Sequence, residues 1–180
     1  MEFIDTPLSG AKLVDLQRIK DSRGFFARAF CSREFAEAGL NEQVVQANFS
    51  YNEHKGTLRG LHYQTAPALE SKLVRCVRGS IVDVLVDLRE ESATYLQHFS
   101  AELSAENRRA LYVPARCAHG FQTLEDHCEV LYLVSGYYTP ECECGLRYCD
   151  PQLAINWPVE ITQVSDKDQQ WPLLETTMRP

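Results

Sequence analysis

The stretch from residue 57 to residue 78 carries the side chains best suited to chemistry. It reads TLRGLHYQTAPALESKLVRCVR and places Arg59, His62 and Lys72 in two apolar segments joined by a proline-containing turn. Charged side chains are kept out of buried strands unless a partner or a ligand compensates for their desolvation. We therefore interpret these three residues as polar groups that line a concave site. A histidine base beside two fixed cations suits an anionic substrate whose reaction develops negative charge.

Two positions further along the chain carry side chains that could join this site. His119 follows Pro114 in the sequence AHGF, where it could also be an ordinary turn residue. Tyr132 lies in the apolar segment VLYLV, where an aromatic residue usually belongs to the core. If its hydroxyl points into a cavity instead, Tyr132 is a candidate acid. Tyr137 and Tyr138 are paired aromatic residues that could stack on a flat ring.

The strand that carries Arg59 and His62 must be irregular if both side chains face the same site. Side chains of a regular strand alternate between its two faces, which puts residues 59 and 62 on opposite sides. Gly60 lies between them and is suited to a bulge or a bend. We therefore predict a break in the strand at Gly60.

The composition indicates one acidic, globular chain. With 180 residues, 44% of them hydrophobic, the chain can form one core, and we expect a single domain over residues 1–180. The formal net charge of -7 argues against nucleic-acid binding, because nucleic-acid binders present basic surfaces. The sequence shows no signal-peptide pattern and no apolar stretch long enough to cross a bilayer, so we expect no membrane contact and a cytoplasmic location. The seven cysteines are odd in number and scattered, which favours reduced thiols.

The hydrophobic pattern predicts a mostly antiparallel all-β fold with a few short helices. Apolar residues recur with a short period between turn signals, and long amphipathic stretches are rare. Many short strands separated by turns are typical of a sandwich, a jelly roll or a barrel. The predicted strands are Lys12 to Ile19, Phe25 to Phe30, Glu42 to Ser50, Leu58 to Gln64, Lys72 to Arg78, Ile81 to Arg89, Tyr95 to Leu103, Ala110 to Val113, Gly120 to Leu124 and Glu129 to Ser135.

Two of these strands carry expectations about which side chains are buried. The three phenylalanines of the strand from Phe25 to Phe30 are predicted to be core residues. The strand from Glu42 to Ser50 alternates polar and apolar residues, so one of its faces is polar and the other apolar.

Capping signals predict two short helices. Ser32 is expected to cap a helix from Arg33 to about Ala38. Residues 165–168, SDKD, have the pattern of a cap and the first turn of a second helix, in which the ordinary role of Asp168 would be to support the cap.

The clustered cysteines do not have the spacing of a zinc site. Cys142 and Cys144 are separated by one residue and Cys149 follows after four more, whereas structural zinc uses two ligand pairs with roughly two to four residues between their members. A metal-binding jelly roll typically shows a His-x-His pair, which this chain lacks. A single histidine accompanied by lysine and arginine indicates metal-free chemistry.

An ordered set of motifs extends from about residue 12 to residue 174. The motifs are DSRG at 21–24 followed by Phe25 and Phe26, QAN at 46–48, GTLRGLHYQ at 56–64, KLVRCVRG at 72–79, DVLVDLR at 83–89, LSAENRRALYVPARCAHGF at 103–121, the two tyrosines and the proline from Tyr132 to Pro140, YCDPQLAINWP at 148–158 and SDKD at 165–168. Together they resemble the nucleotide-sugar 3,5-epimerases of the cupin superfamily, and most closely the dTDP-4-dehydrorhamnose 3,5-epimerase family.

This resemblance implies a cupin jelly roll that acts on a nucleoside diphosphate 4-keto-6-deoxyhexose without a metal or a coenzyme. His62 would be the base that removes the proton next to the ketone, and Asp168 would orient its imidazole. Tyr132 would be the acid that returns a proton from the opposite face. Lys72 would stabilise the enolate oxygen.

The resemblance also implies a set of substrate-binding residues and a partner. Arg59 and His119 would hold the substrate, since an arginine makes bidentate contacts with a diphosphate. A homodimer is implied, in which an N-terminal part of each subunit reaches its neighbour's site. Arg28 departs from the family pattern, because these enzymes usually carry glutamate there, and this leaves the nucleotide base and the sugar open. Further positions implied to contact nucleotide or sugar are Arg23, Phe26, Gln46, Asn48, Tyr138, Glu143 and Lys167.

Several functions remain to be distinguished. The leading hypothesis is inversion at C3 and then at C5 of the sugar through an enolate. A single-centre 3-epimerase or a 3,4-ketoisomerase would share the fold, although a ketoisomerase would not need a Tyr132 hydroxyl opposite His62. A non-catalytic sugar-nucleotide binding cupin would be expected to have lost His62, Lys72 or Asp168. A metal-dependent cupin oxygenase is disfavoured by the missing His-x-His pair.

Overall fold

The computed structural model describes residues 1–174, and its main elements are two largely antiparallel sheets. The strands are numbered in chain order. The first sheet contains, in spatial order, β1 (Glu2–Asp5), β2 (Lys12–Asp15), β10 (Ala110–Val113), β7 (Lys72–Arg78), β12 (Cys128–Val134) and β5 (Gln46–Asn52). The second contains β13 (Glu143–Gly145), β6 (Thr57–Gln64), β11 (Cys117–Thr123), β8 (Ser80–Asp87) and β9 (His98–Ser104), with β14 (Gln163–Val164) parallel to β6.

Little regular structure of the described chain lies outside these sheets. β3 (Ile19–Asp21) and β4 (Gly24–Phe26) form a separate hairpin. The helices are α1 (Ser32–Glu37), α2 (Asp166–Gln170) and a 3-10 turn at Pro140–Cys142. Neither α1 nor α2 has the length and apolar character of a membrane span.

The two sheets face each other across a shared core. Val74 and Leu111 of the first sheet pack in one cluster with Ile81, Leu85 and Phe121 of the second. Alternation along each strand directs every second side chain into this layer, and burial of the apolar set stabilises the pair of sheets. This arrangement confirms the predicted all-β jelly roll with a few short helices.

The predicted irregularity at Gly60 is present. β6 and β11 pair His62 with His119 and Arg59 with Phe121, so two residues of β6 lie opposite Gly120 alone. A bulge of this kind lets side chains on both sides of it turn toward one face of the sheet. It is the local feature that allows Arg59 and His62 to share a cavity.

The N-terminal strands are shorter than the sequence pattern indicated. The strand predicted from Lys12 to Ile19 is divided between β2 and β3, and β4 ends at Phe26. The prediction that Phe25 and Phe26 are core residues is wrong, because they are 40% and 68% exposed. The hairpin forms a sheet of its own, so its apolar side chains have no second layer of the described chain to pack against.

Helix α1 is stabilised by packing of an aromatic side chain rather than by a capping hydrogen bond. It begins at Ser32, and the N-cap position is occupied by Cys31, whose side chain makes no capping hydrogen bond. The prediction that Ser32 caps this helix is therefore wrong. Phe35 is buried and its ring lies 5.2 Å from that of Phe3 and 6.0 Å from that of Tyr112. Because a helix this short is marginal alone, this packing stabilises it.

Edge strand β5 has the two predicted faces, but its apolar face points outward. Phe49 and Tyr51 are 60% and 50% exposed. Gln46 and Asn48 alternate with them and are half-buried on the inner side. The chain thus directs polar residues of β5 inward and leaves an uncovered aromatic surface on the outside.

Replacing Gly60 with alanine should destabilise the fold far more than replacing Gly39. Both residues have positive φ, +121° and +72°, which costs an L-residue about 1–2 kcal/mol. A Cβ at Gly39 meets nothing within 4 Å, whereas one at Gly60 would lie 2.5 Å from the Gly120 Cα atom. In urea unfolding at fixed protein concentration we expect a loss of about 1 kcal/mol for G39A and more than about 3 kcal/mol for G60A. Equal losses would contradict the close approach of β6 and β11.

Candidate active site

A cavity of about 640 Å³ lies between the two sheets. The sequence-predicted residues that line it are His62, Tyr132, Asp168, Lys72, Gln46, Asn48, Arg59, His119, Tyr138, Glu143 and Lys167. Arg23 and Phe26 are not among its lining residues. The cavity therefore gathers side chains from β5, β6, β7, β11, β12, β13 and α2, which are widely separated in sequence.

Helix α2 delivers Asp168 to His62. The hydroxyl of Ser165 caps the helix by accepting the Asp168 N–H at 3.1 Å, so Ser165 supplies the cap and Asp168 serves the histidine instead. His62 Nε2 lies 2.6 Å from Asp168 Oδ1, and the Gly60 N–H donates to Oδ2 at 3.1 Å. The bulged glycine thus binds the same carboxylate as the histidine.

Asp168 is ionised, and its charge determines which ring nitrogen of His62 carries the hydrogen. Burial raises the pKa of the Asp168 carboxyl, but the hydrogen bond and attraction from His62, with the Gly60 N–H, hold it below its ordinary value. An ionised carboxylate accepts, so Nε2 of His62 is the nitrogen that donates to it. The lone pair of the neutral imidazole is then on Nδ1, which is the arrangement of an oriented base.

Tyr132 and Lys72 lie on the opposite sheet from His62. They come from the adjacent strands β12 and β7, where Tyr132 pairs with Val74. Burial raises the pKa of the Tyr132 phenol, the Arg59 cation lowers it and the Glu70 carboxylate raises it, with a net result above the ordinary value. Tyr132 therefore keeps its proton at neutral pH and can act as an acid.

His119 lies within β11 rather than in a turn. Its Nε2 is 2.6 Å from Oδ1 of Asp83, a fully buried residue of β8. The other oxygen of Asp83 has no hydrogen-bond partner within residues 1–174. His119 and His62 are paired in register across β11 and β6, so two histidine–carboxylate pairs lie side by side in the second sheet.

Arg59 is fixed by groups that carry no charge. Its Nε donates to Asn52 Oδ1 at 2.7 Å, and one terminal nitrogen reaches the carbonyl oxygen of Tyr51 at 3.4 Å. These bonds orient the guanidinium without neutralising it. A cation held in this way is suited to an anionic group such as a phosphate.

A cluster of polar side chains forms part of the exposed rim. The Tyr138 hydroxyl donates to Glu143 Oε2 at 2.6 Å, and Lys167 Nζ donates to the same oxygen at 2.5 Å. Burial raises the pKa of Glu143, but the hydrogen bonds from Lys167 and Tyr138 hold it below its ordinary value. The cluster joins the segment after β12 to helix α2.

Several residues in or beside the cavity were missed by the sequence reasoning. Asp83 and Gln64 are buried polar groups in apolar strands, which is the same signal that identified His62. Glu70 lies in the segment between β6 and β7, and Trp171 approaches the site with its indole Nε1 donating to Asp168 Oδ1 at 3.3 Å. A systematic search for polar residues in apolar strands would have found Asp83 and Gln64, but Glu70 and Trp171 give no such signal.

Arg23, Phe26 and Arg28 lie on or near the β3–β4 hairpin, outside this cavity. Arg23 pairs with Asp21 at 2.7 Å and is exposed, as is Phe26. Arg28 donates to Glu34 at 3.0 Å, and the N-terminal ammonium binds the same carboxylate. The charge of Arg28, the residue that departs from the family pattern, is therefore compensated by a carboxylate of its own chain.

The described part of the chain does not gather a set of metal ligands. Within residues 1–174, no three His, Cys, Asp or Glu side chains converge on one point. Cys142, Cys144 and Cys149 are free thiols, as are the other four cysteines.

Comparisons with known proteins agree with this architecture. The family model described as dTDP-4-dehydrorhamnose 3,5-epimerase matches residues 5–176. A relative with that name from Methanothermobacter thermautotrophicus is 42% identical over 177 residues, 96% of this chain and 95% of its own. A crystal structure with that name from Elizabethkingia anophelis NUHP1 has a TM-score of 0.95 at 36% identity, covering 98% of this chain and 97% of that one.

Two further solved structures carry ligands. A dTDP-6-deoxy-D-glucose-3,5-epimerase from Legionella pneumophila Philadelphia 1, in complex with dTDP-4-keto-L-rhamnose, has a TM-score of 0.90 at 40% identity and covers 97% of this chain and 93% of that one. ChmJ, a 3'-monoepimerase from Streptomyces bikiniensis in complex with dTDP-quinovose, has a TM-score of 0.89 at 34% identity and covers 97% and 88%.

The fold and the paired acid–base groups of the cavity define an enzyme of the cupin superfamily. Since a family model spans nearly the whole chain and relatives above 30% identity cover it, the chain belongs to the dTDP-4-dehydrorhamnose 3,5-epimerase family.

Proposed function

We propose that this protein inverts C3 and C5 of a nucleoside diphosphate 4-keto-6-deoxyhexose, converting dTDP-4-dehydro-6-deoxy-D-glucose to dTDP-4-dehydro-L-rhamnose. One observation carries the proposal: His62 with its ionised partner Asp168 and a protonated Tyr132 come from opposite sheets and line one cavity. Inversion needs a proton acceptor and a proton donor on the two faces of one carbon. Family membership and the dTDP-sugars bound by similar structures support the substrate class.

The reaction begins with proton removal beside the ketone. Nδ1 of His62 takes the proton from C3, the C–H electron pair forms the enolate, and the negative charge moves to the ketone oxygen. Lys72 stabilises that oxygen as a fixed ammonium in a cavity with little water. Asp168 stabilises the imidazolium that has formed and keeps the ring in place.

The reaction is completed by a proton from the other face. Tyr132 gives its phenolic proton to the carbon, and the enolate returns to the ketone with inverted configuration. His62 has then gained a proton and Tyr132 has lost one, so exchange with solvent must reset both before C5 reacts. The carbon loses one proton and gains another, so its oxidation state is unchanged and no electron acceptor is needed.

The remaining cavity residues bind the substrate. Arg59 and His119 hold the charged linkage and the sugar, and Gln46 and Asn48 offer hydrogen bonds from β5. Tyr138, Glu143 and Lys167 at the rim contact the nucleotide. Tyr138 and Lys167 are solvent-accessible, whereas Lys72 and His119 lie deeper, so the nucleotide lies outward and the sugar inward.

The functional unit is a homodimer, in which residues 1–174 of each subunit form a single domain. The aromatic outer face of β5 and the exposed hairpin residues Ile19 and Phe26, each 68% exposed, support an interface. Arg23 and Phe26 reach the partner's cavity, which explains why they do not line the corresponding cavity of their own chain. The seven free thiols and a nucleotide-linked substrate support a cytoplasmic location.

A single-centre 3-epimerase is the second candidate. The similarity to a 3'-monoepimerase favours it, because such an enzyme shares the fold. A 3,4-ketoisomerase is disfavoured by the position of Tyr132 opposite His62, since same-side proton return would not need it.

Incubation in deuterium oxide with dTDP-4-keto-6-deoxyglucose tests the function and the base together. NMR should show deuterium at C3 and C5 with the native protein, and His62→Ala should abolish exchange at both positions while dTDP binding stays within about threefold. Label at C3 alone would establish the second candidate, and no label would refute both. Retained exchange in the variant would remove His62 from the role of base.

Tyr132→Phe should slow net inversion more than solvent exchange. His62 can still form the enolate and return a solvent-derived proton to the original face, so C3 becomes labelled without inversion. We expect inversion to fall by about a hundredfold or more and exchange by less than about tenfold. An equal loss of both would count against Tyr132 as the acid.

Mixing two inactive variants tests whether the hairpin completes the partner's site. His62→Ala lacks the base, and the double variant Arg23→Ala, Phe26→Ala lacks the hairpin contacts. After co-refolding, half of the dimers are mixed and each holds one intact site, so about a quarter of wild-type activity should return. If each cavity uses only its own chain, mixing restores nothing.

A further inference from the structure

Glu70 is a carboxylate of the cavity, largely shielded from solvent, that the reaction above does not use. Its side chain is 11% exposed, and it lies in the segment between β6 and β7. Oε1 is 3.1 Å from Lys72 Nζ, and Oε2 accepts a hydrogen bond from Gln64 Nε2 at 3.0 Å. Burial of an ionised carboxylate is costly unless both oxygens are paired, and here both are.

Both polar atoms of the Gln64 side chain make hydrogen bonds. It is buried, its Oε1 accepts the Thr139 N–H at 2.7 Å, and its amide nitrogen also lies 3.1 Å from the carbonyl oxygens of Ala68 and Tyr137. The side chain cannot turn without losing several of these bonds. Gln64 therefore gives Glu70 a rigid support on β6, in the sheet opposite Lys72.

Lys72 needs such a support because a lysine side chain is flexible. Its ammonium is a point charge on a four-carbon stem, and a specific position costs side-chain entropy. The ion pair with Glu70 limits the ammonium to one wall of the cavity, and Lys72 is only 13% exposed. An ammonium already in place stabilises a developing enolate without reorganisation.

We propose that Glu70, supported by Gln64, is a positioning residue for the epimerisation: it fixes the Lys72 ammonium at the place where the ketone oxygen of the bound sugar lies. This inference rests on the proposed function. Glu70 acts through Lys72 and makes no contact with the reacting carbons. Burial is the main cause that raises the pKa of the neighbouring Tyr132 phenol, and the negative charge of Glu70 adds to it.

Glu70→Gln is the informative variant, because glutamine keeps the size and an acceptor for Gln64 but removes the charge that holds Lys72. We expect kcat and deuterium exchange at C3 to fall about tenfold or more, with KM within about twofold, since the nucleotide contacts are untouched. Glu129→Gln is the matched control, because Glu129 pairs with Arg78 at 3.8 Å on the surface and should leave both constants unchanged.

A double-mutant cycle separates positioning from a structural role. In a Lys72→Gln background, Glu70→Gln should cost less than about twofold more, because the group it positions is gone. Full additivity of the two losses would overturn the proposal, as would native kcat in Glu70→Gln. If the native protein exchanges deuterium and Glu70→Gln exchanges it equally fast, the role of Glu70 alone is refuted. If the native protein shows no exchange, the proposed function is refuted.

Glu70→Asp keeps the test decisive if Glu70→Gln folds poorly. Aspartate retains the charge but is one methylene shorter, so it places the Lys72 ammonium less well, and kcat should fall at equal dTDP binding, though by less than in Lys72→Gln. In the Lys72→Gln background, Glu70→Asp should then cost less than about twofold more. Native kcat in the folded aspartate variant, or full additivity of its loss with that of Lys72→Gln, would contradict the positioning role.

Discussion

The close approach of β6 and β11 at Gly60 and Gly120 is the constraint on which the rest of the structure depends. A Cβ at Gly60 would lie 2.5 Å from the Gly120 Cα atom, and a Cβ at Gly120 would lie 2.6 Å from the Arg59 carbonyl oxygen. The resulting bulge turns Arg59 and His62 toward one cavity, and it also directs the Gly60 N–H at Asp168. Backbone geometry at one glycine thus sets the orientation of His62, of its carboxylate partner Asp168 and of Arg59 together.

The electrostatics of the cavity follow a common pattern with one exception. Four of its basic side chains each contact a carboxylate. The pairs are His62 with Asp168, His119 with Asp83, Lys72 with Glu70 and Lys167 with Glu143. Paired groups are fixed in position and their burial is less costly. Arg59 differs, because its partners are an amide and a carbonyl oxygen. A chain with net charge -7 can therefore present a local positive charge to a diphosphate.

The proposed division of work between the sheets has a physical reason. A base and an acid on the same strand would approach the sugar from one side, whereas groups on facing sheets approach it from two. His62 lies on β6 and Tyr132 on β12, and the core between the sheets keeps their separation constant. A jelly roll is suited to inversion because its two walls are rigid and face each other.

The sequence by itself determined the all-β class, most strand positions, the bulge at Gly60 and the set of polar residues placed in apolar strands. These follow from local patterning, since alternation and turn residues act over a few positions. Only the tertiary structure decided that Phe25, Phe26 and the aromatic residues of β5 are exposed, because burial depends on whether another layer covers a strand. The roles of Glu70 and Trp171, and the pairing of Asp83 with His119, likewise emerged only with the fold, since these contacts depend on side-chain geometry that spacing along the chain does not encode.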